Sequence, residues 1–387
     1  MSLNLEIIKN DPYLWKSKEN IEKIYEKMND DKSKEMYREA LNLIATRDFS
    51  HLVKIHELNK IKTDKAILQQ IQYSQFHEQG KNIIFYGLGQ RTLNMVKMWE
   101  EFHSGIGYSF FPFITDIPVS FFCDKNYRNY SEGFLGKPVI SPSDLKQNYK
   151  DGIVIINTCD YFEQIYNELL GEGFSEEQIF FHEYPSGQAY EEKQYFEEFM
   201  KIDQEQTFVD AGCYDGKTVH QFINWQPNYE KVIAFEPDKT NYTVCTKNLQ
   251  DVERIEVIQA GLGNENCRVS FKETATSGSC IDRTGEDFID VIKLDDVIEK
   301  DKISFIKMDI EGAELDALRG AQKVIHRDHP KLAICVYHKK YDLVELPQYI
   351  NEISDNYVFY LRIYSNLWFE CVLYAVPKQL CKSELKE

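Results

Sequence analysis

Hydrophobic residues follow two kinds of pattern along the chain. Residues 1–80 place apolar side chains such as Ile21 and Ile24 at helical spacing among many charged and polar residues. Residues 81–184 and 202–378 instead alternate short apolar runs with amphipathic segments and turns that contain glycine. Because short apolar runs between turns are typical of buried parallel strands, the pattern predicts a helical N-terminal segment followed by two α/β regions.

Changes in composition mark the boundaries between these regions. We predict a helical region at 1–80, a smaller parallel α/β domain at 81–184, a linker with a charged helix at 185–201, a larger α/β domain at 202–378 and a polar tail at 379–387. Strands of the larger domain are predicted near 206–210, 232–236, 255–259, 303–308, 331–337, 357–363 and 369–376, the last two as a hairpin. Between these strands, a polar excursion near the mouth of a site is expected at residues 261–290. The apolar faces of the N-terminal helices must cover either the next domain or a second subunit.

The acidic composition makes several partners and compartments unexpected. The chain has 45 Lys and Arg against 63 Asp and Glu, a net charge of −18, so neither nucleic acid nor anionic lipid is an expected partner. Its nine cysteines include no Cys-x-x-Cys pair, which favours a reduced protein without structural disulfides. No secretion-signal pattern is present, and no apolar stretch approaches the ~20 residues that span a bilayer, so a cytoplasmic location is expected.

An acid followed by a glycine turn gives the first chemical signal. The apolar run at 207–209 ends in Asp210, and the turn that follows contains Gly212, Asp215 and Gly216 before a helical segment. Glycines let the backbone approach a ligand closely, and the helix N-terminus beyond them offers free N–H groups. A second apolar run ends in Glu236, where an acid in a doubly wound sheet can bind ribose hydroxyls. These residues predict a nucleotide-type site.

A third segment, Phe305-Ile306-Lys307-Met308-Asp309-Ile310-Glu311-Gly312-Ala313-Glu314, completes a recognisable set. Together with the glycine turn and Phe235-Glu236-Pro237, it resembles the FkbM family of S-adenosylmethionine-dependent methyltransferases over about residues 201–378. The resemblance implies a class I methyltransferase fold, a doubly wound seven-stranded sheet with an antiparallel edge. It also implies S-adenosylmethionine as cofactor, held by Asp210, Gly212, Asp215, Gly216 and Glu236. Cys213-Tyr214 departs from the Ala-Asn found in many members.

The smaller α/β region carries a related but less complete pattern. An apolar run leads into Gly87-Leu88-Gly89, and a second run ends in Asp124. The region resembles Rossmann-like domains of sugar-modifying enzymes, whose relatives bind a nucleotide-sugar or NAD. Gly87, Gly89 and Asp124 are the positions that would hold such a ligand, although the third glycine of the dinucleotide motif is missing. Nucleotide binding and a purely structural domain both stay open.

Candidate catalytic residues lie at the ends of the fourth and fifth predicted strands. If the methyl acceptor is a hydroxyl, a base that removes its proton helps the reaction. Asp309, Glu311 and His338 are the candidates, and His338 is preferred because its usual pKa is close to neutrality. Asp309 could also cap a helix, Glu311 could be a first-turn acid, and His338 could merely pair with Asp342. The three could together hold a metal, but no ligand spacing supports one, so metal-independent turnover is expected.

The resulting expectation is methyl transfer from S-adenosylmethionine to a hydroxyl of a sugar or glycoconjugate precursor. One alternative is a nucleotide-sugar- or NAD-dependent enzyme with its chemistry in residues 81–184. Another is a non-catalytic protein that keeps the cofactor fold. A homo-oligomer formed through the N-terminal helices is a further expectation, and the acceptor and the methylated atom stay open.

Overall fold

The computed structural model describes residues 3, 5–103, 114–184, 188–189, 193–201, 206–272, 280–281 and 287–381. Two compact units are present, one made of Met1–Thr46 with Ala189–Glu387 and the other of Arg47–Gly105 with Phe110–Gln188. The division after Thr46 falls inside the helical region predicted at 1–80. Of the helices in the described parts of the chain, none combines the length and apolarity that a bilayer crossing requires.

The N-terminal segment is helical, as its apolar spacing indicates. Its helices are α1 (Pro12–Lys16), α2 (Lys18–Lys27), α3 (Asp31–Thr46), α4 (Ser50–Asn59) and α5 (Lys65–Glu78). Asp11 begins α1 by accepting hydrogen bonds from the main-chain N–H groups of Tyr13 and Leu14, with proline at the first helical position.

The second unit contains a five-stranded parallel sheet, here called the middle sheet. Its strands are β1 (Ile83–Tyr86), β2 (Phe121–Cys123), β3 (Val139–Ile140), β4 (Ile153–Ile156) and β5 (Ile179–Phe181), in the order β3-β2-β1-β4-β5. The accompanying helices are α6 (Gln90–His103), α7 (Pro142–Asn148) and α8 (Phe162–Gly171). The order reverses between β1 and β4, so a crevice for a ligand is expected at the carboxyl ends of these two strands.

The first unit contains a seven-stranded sheet, here called the C-terminal sheet. In chain order the elements are β6 (Thr207–Ala211), α9 (Lys217–Trp225), β7 (Lys231–Phe235), α10 (Lys239–Asn248), β8 (Ile255–Ile258), β9 (Gly261–Leu262), β10 (Cys267–Lys272), β11 (Cys280–Ile281), β12 (Asp287–Ile292), α11 (Leu294–Val297), β13 (Phe305–Met308), α12 (Glu314–Gly320), α13 (Gln322–Asp328), β14 (Lys331–Cys335), α14 (Asp342–Ile353), β15 (Tyr357–Ile363) and β16 (Cys371–Pro377). The sheet has the order β15-β16-β14-β13-β6-β7-β8, with its reversal between β6 and β13.

The antiparallel strand of this sheet is not at its edge, contrary to the sequence-based expectation. β16 runs antiparallel to both β14 and β15, so the edge strand β15 is parallel to the rest of the sheet. The reason is the predicted hairpin, because its second strand, β16, inserts between β14 and β15.

Two further predictions require correction. A polar excursion was expected at residues 261–290, but the described residues from 261 to 292 contain a four-stranded sheet of order β11-β10-β12-β9. The most polar part of the expected excursion, residues 277–279, lies outside the described residues. The charged helix predicted at 185–201 is also wrong for the described residues 193–201, which contain a short 3-10 turn, Glu198–Met200. Tyr195 has a φ of +70°, which an α-helix does not allow, and Tyr195, Phe196 and Met200 are buried in the core.

The helices α2 and α3 pack within the first unit against its edge strand. The main-chain N–H of Asn29 donates to the carbonyl of Phe359 over 2.8 Å, and the N–H of Leu361 donates to Ser33 Oγ over 3.0 Å. Arg362 forms an ion pair with Asp30 at 2.5 Å. These contacts cover the helical stripe inside the chain, so the stripe by itself does not require a second subunit.

Candidate active site

The glycine turn after β6 packs tightly against the ends of two neighbouring strands. Gly212 has a φ of +77°, and a Cβ added there would lie 2.0 Å from the carbonyl oxygen of Asp309. Its N–H donates to the carbonyl of Phe235 over 3.0 Å. Gly216, with a φ of +84°, begins α9, and an added Cβ would meet Leu249 at 2.8 Å. Both positions therefore require glycine.

Glu236 fastens this turn to the end of β7. Its carboxylate accepts a hydrogen bond from the N–H of Tyr214 over 2.9 Å and another from the N–H of Asp238 over 3.0 Å. The side chain is 5% exposed, and burial raises its pKa to about 7. Because the N–H of Tyr214 makes the contact, the unusual Cys213-Tyr214 sequence leaves this bond intact.

Asp215 has a local role in the structure. Its carboxylate accepts from the N–H of Lys217 over 3.0 Å at the start of α9, and its carbonyl accepts from Asn248 Nδ2 over 2.9 Å. It therefore holds the glycine turn and α9 to α10, next to the residues predicted to bind a cofactor.

Asp210 is turned into the protein and paired with a lysine. The parallel register places it directly opposite Lys307, and Lys307 Nζ lies 3.0 Å from Asp210 Oδ1. Lys307 also donates to the carbonyls of Ala211 and Gly212 over 3.2 and 2.6 Å. Burial would lower the pKa of Lys307, but Asp210 raises it above its usual value, so the lysine stays charged.

Four titratable side chains, here called the His338 cluster, meet where β13 and β14 end. His338 Nε2 lies 3.4 Å from Asp309 Oδ1 and 3.7 Å from Glu311 Oε2, while His338 Nδ1 lies 2.9 Å from Glu314 Oε1. Glu314 Oε1 also accepts from the N–H of Ile310 over 3.0 Å. Asp309, Glu314 and His338 bring potential ligand atoms within 4.8 Å of one another.

Burial and the close approach of these charges shift the pKa values of the side chains in the cluster. Burial would lower the pKa of His338, but the carboxylates, with Glu314 first, raise it to about 10. Burial raises the pKa of Glu311 to about 7. Burial would also raise the pKa of Asp309, but Lys307 and His338 lower it. Near neutral pH, His338 is therefore a buried cation among acids.

A scan against protein families matches residues 210–359 to the methyltransferase FkbM domain. This part of the chain is an FkbM methyltransferase domain. The match runs from the end of β6 to the start of β15 and includes the glycine turn, Glu236 and the whole His338 cluster.

A curated relative and two solved structures extend this comparison. The chain is 25% identical over 141 residues to the 2-O-methyltransferase NoeI of Sinorhizobium fredii, a match that spans 30% of this chain and 58% of the relative. Methyltransferase FkbM from Methylobacillus flagellatus is 20% identical, with a TM-score of 0.46 over 85% of this chain and 98% of that one. M. capricolum TrmK, solved with S-adenosylhomocysteine, is 13% identical, with a TM-score of 0.28 over 49% of this chain and 69% of that one. At this likeness the two structures carry no argument about what this chain binds.

Three residues that contact the predicted site residues were not themselves predicted as site residues. Lys307 interrupts the apolar run of β13, and a charge inside a buried strand needs a partner, which is a signal visible in the sequence. Glu314 closes the recognised motif as its last acid. Tyr195, whose hydroxyl donates to Asp309 Oδ2 over 2.8 Å, lies before the domain and gives no comparable signal.

Outside the FkbM domain, the middle sheet brings its own predicted residues together. Asp124 accepts from the N–H of Leu88 over 2.8 Å and from the N–H of Asn126 over 2.7 Å. Gly87 has a φ of +108°, whereas an added Cβ at Gly89 would meet nothing within 4 Å. The glycine turn and the acid thus adjoin, although only the first glycine is conformationally required.

Proposed function

We propose that the FkbM domain transfers a methyl group from S-adenosylmethionine to a hydroxyl of a sugar or glycoconjugate precursor. The observation that carries the proposal is that the glycine turn held by Glu236 packs directly against Asp309, so the residues predicted to bind the cofactor adjoin the His338 cluster at the carboxyl edge of the C-terminal sheet. The family of this domain and the name of the curated relative, a 2-O-methyltransferase, support the reaction type.

The residues present fit the cofactor. An ionised carboxylate has about four acceptor sites, and main-chain N–H groups occupy two of those on Glu236. Two sites are left for the two hydroxyls of a ribose. Gly212 and Gly216 keep the turn beside it free of Cβ atoms, and the N–H groups at the start of α9 follow. S-adenosylmethionine would supply an electrophilic methyl group on a positively charged sulfur.

The catalytic roles of His338, Asp309 and Glu311 remain predictions. A general base must be unprotonated before it can accept a proton. The raised pKa of His338 argues against this role in the cluster as it stands, because the imidazole is already charged near neutral pH. Asp309 and Glu311 are partly exposed, with side chains 23% and 30% accessible, and can face an acceptor.

Calorimetry with S-adenosylhomocysteine tests the cofactor assignment. Replacing Glu236 by alanine removes charge-assisted hydrogen bonds worth roughly 1.5–3 kcal/mol each, so the loss of one such bond alone should raise the Kd roughly 10- to 150-fold. Asp124→Asn is the matched control, because Asp124 makes the same two main-chain contacts in the middle sheet. Unchanged affinity in Glu236→Ala would remove Glu236 from the site. Binding without methyl transfer to any sugar acceptor tested would favour a non-catalytic protein.

A second proposal is that the middle sheet binds a nucleotide-linked ligand, such as a nucleotide-sugar or NAD. The grip of Asp124 on the turn at Gly87 supports it. A ligand at 100 times its Kd should stabilise the unit by about 2.7 kcal/mol. Thermal shifts should therefore appear in the wild type and disappear in Asp124→Asn. No shift with any nucleotide would favour a structural domain, and turnover of a nucleotide-sugar without S-adenosylmethionine would favour chemistry in residues 81–184.

A further inference from the structure

The His338 cluster has a face that no hydrogen bond within the described residues satisfies. His338 is 7% exposed, and its Nε2 forms no hydrogen bond there although it points at Asp309 Oδ1 and Glu311 Oε2. Buried polar atoms are normally paired, so this face suits a cation that displaces the Nε2 proton to solvent and then accepts electron pairs from nitrogen and oxygen together.

We propose that His338 Nε2, Asp309 and Glu311 bind a divalent first-row transition-metal ion such as Mn²⁺ or Zn²⁺. An imidazole with two carboxylates is a donor set that these ions accept. Ligand atoms at bond lengths of about 2.0–2.2 Å lie roughly 3.0–3.6 Å apart. The separations of 3.4 and 3.7 Å from Nε2 to the two carboxylates are close to this range, and the two partly exposed carboxylates would converge on the ion when it binds.

The surrounding residues match the support that metal ligands usually have. Glu314 lies 2.9 Å from His338 Nδ1, on the ring edge opposite the proposed ion, where a carboxylate fixes the ring orientation. Asp309 is held by the hydroxyls of Tyr195 and Tyr337, which donate over 2.8 and 3.3 Å. Neighbouring side chains therefore already orient two of the proposed ligands, His338 and Asp309.

The backbone bends to bring these acids to one histidine. Glu311 has a φ of +54°, a left-handed conformation that is unfavourable for a residue with a Cβ. Gly312, next along the chain, has a φ of +92° and packs against His338 and Lys339. Strain of this kind persists where the surroundings enforce it, and it clusters at functional sites.

Charge and access agree with a cation at this position. A protonated imidazole balances one of the three carboxylates around it, whereas a divalent ion balances two. The partly exposed side chains of Glu311 and Asp309 leave one side open for water or an acceptor hydroxyl. If the proposed methyl transfer is correct, an ion here would lower the pKa of that hydroxyl, but the binding of the ion does not depend on that function.

Mn²⁺ titration of the full-length, chelator-treated protein, followed by the electron paramagnetic resonance signal of free Mn²⁺, tests the site. One ion per chain is expected. Glu311→Gln removes a proposed ligand and should weaken Mn²⁺ binding by at least about tenfold. Glu314→Gln removes the carboxylate that orients the His338 ring and should weaken binding roughly 10- to 100-fold. Glu256→Gln, which removes an exposed acid on β8, should leave binding unchanged. Equal binding in Glu311→Gln and the wild type would overturn the proposal.

A second measurement uses the wild type alone and does not depend on any variant folding. The nitrogen coupling of a directly bound imidazole should appear in the spin-echo spectrum of the bound Mn²⁺. The proposal would be overturned if that coupling is absent, or if neither Mn²⁺ nor Zn²⁺ binds at concentrations below about 1 mM. The charges of the cluster would then be balanced by its own side chains. Titration of the same sample with S-adenosylhomocysteine reports separately on the cofactor, and Glu236→Ala should lose that ligand while keeping the ion.

Discussion

In the middle sheet and in the C-terminal sheet alike, the acid that follows the second strand of the unit accepts two main-chain hydrogen bonds. One comes from the glycine turn after the first strand, and the other from the residue two positions beyond the acid. Asp124 does this in the middle sheet and Glu236 in the FkbM domain. The shared grip shows that such an acid first serves the turn itself, so its presence alone does not distinguish a cofactor site from a structural one.

The two sheets differ at the neighbour that the first strand has on the side away from the acid-bearing second strand. In the FkbM domain Asp210 pairs in register with Lys307, whereas the corresponding neighbours in the middle sheet are the apolar Phe85 and Ile155. After β4 comes Asn157, whose side chain accepts from Arg91 and donates to Thr92 within its own unit, in place of the acids after β13. The difference is that the FkbM domain carries a buried ion pair and acids at positions where the middle sheet has apolar residues and an asparagine.

The largest expected effect comes from breaking the charged pair that the middle sheet lacks. Lys307→Met leaves Asp210 buried without its partner, which should cost about 3–5 kcal/mol of unfolding free energy. Hydrogen exchange of peptides from β6 and β13, followed across a urea titration, measures the unfolding free energy of the first unit separately from that of the second. Lys231→Met, which removes a partly exposed ion pair, is the control and should cost less than about 1 kcal/mol.

A double variant then sharpens the comparison. Asp210→Leu with Lys307→Met copies the apolar pairing of the middle sheet, and most of the lost stability should return because no buried charge remains. A double variant no better than Lys307→Met would mean that the hydrogen bonds of Lys307 to the turn, rather than the ion pair, stabilise this edge.

A smaller effect is expected from the two glycine turns. Gly212→Ala should cost about 2–5 kcal/mol, because it combines a left-handed backbone with a clash against the carbonyl of Asp309. At Gly87 the nearest atom to an added Cβ is the carbonyl oxygen of Asn157, 3.6 Å away, so Gly87→Ala should cost only the backbone strain of about 1–2 kcal/mol. The same urea experiment, read in β1 and β6, measures both. Equal losses would contradict the difference in packing.

The last expected effect is the response of the two units to acid, which needs no substitution to be seen. Burial lowers the pKa of both His56 and His182, in the second unit, to about 4. Their unfolded forms bind protons first, so each should cost about 2 kcal/mol of stability as the pH falls from 6.5 to 5. Glu236, with its pKa raised to about 7, protonates first in the folded state and stabilises its own unit as the pH falls from 7 to 4.5.

Hydrogen exchange at pH 7 and pH 5, corrected for intrinsic rates, should therefore show the two units shifting in opposite directions. His182→Phe should remove part of the acid loss in β1 and β4, whereas His77→Gln, at an exposed position, should not. A parallel decline of both units would mean that the buried histidines do not control the acid response.

The strands were predictable because their apolar runs are short and end in recognisable turns. β6 and β13 lie close to their predicted positions for this reason. The small sheet was missed because the alternation of Arg268, Val269 and Ser270 in β10 reads as polar when the partner strand β12 is unknown. The sequence likewise shows that Asp210 ends a strand but not which residue stands opposite, because register depends on tertiary pairing.

The candidate site was predictable as a set of residues but not as a set of roles. Asp309, Glu311 and His338 do meet, as the strand ends suggest. The burial of His338 and the position of Glu314 beneath it depend on the left-handed turn at Glu311 and Gly312, which no local propensity for glutamate would indicate. The usual pKa of histidine was therefore a poor guide to its charge here.

The packing of α2 and α3 on β15 also has a consequence for the order of folding. These helices are made early in synthesis, but the strand whose Phe359 carbonyl accepts from Asn29 and whose Leu361 N–H donates to Ser33 is made more than three hundred residues later. The second unit, by contrast, is complete by Gln188. We expect the second unit to fold on the ribosome before β15 has been made. During that time the apolar stripe of the N-terminal helices would stay uncovered. The apolar stripe on these helices would then be a place where chaperones act during synthesis.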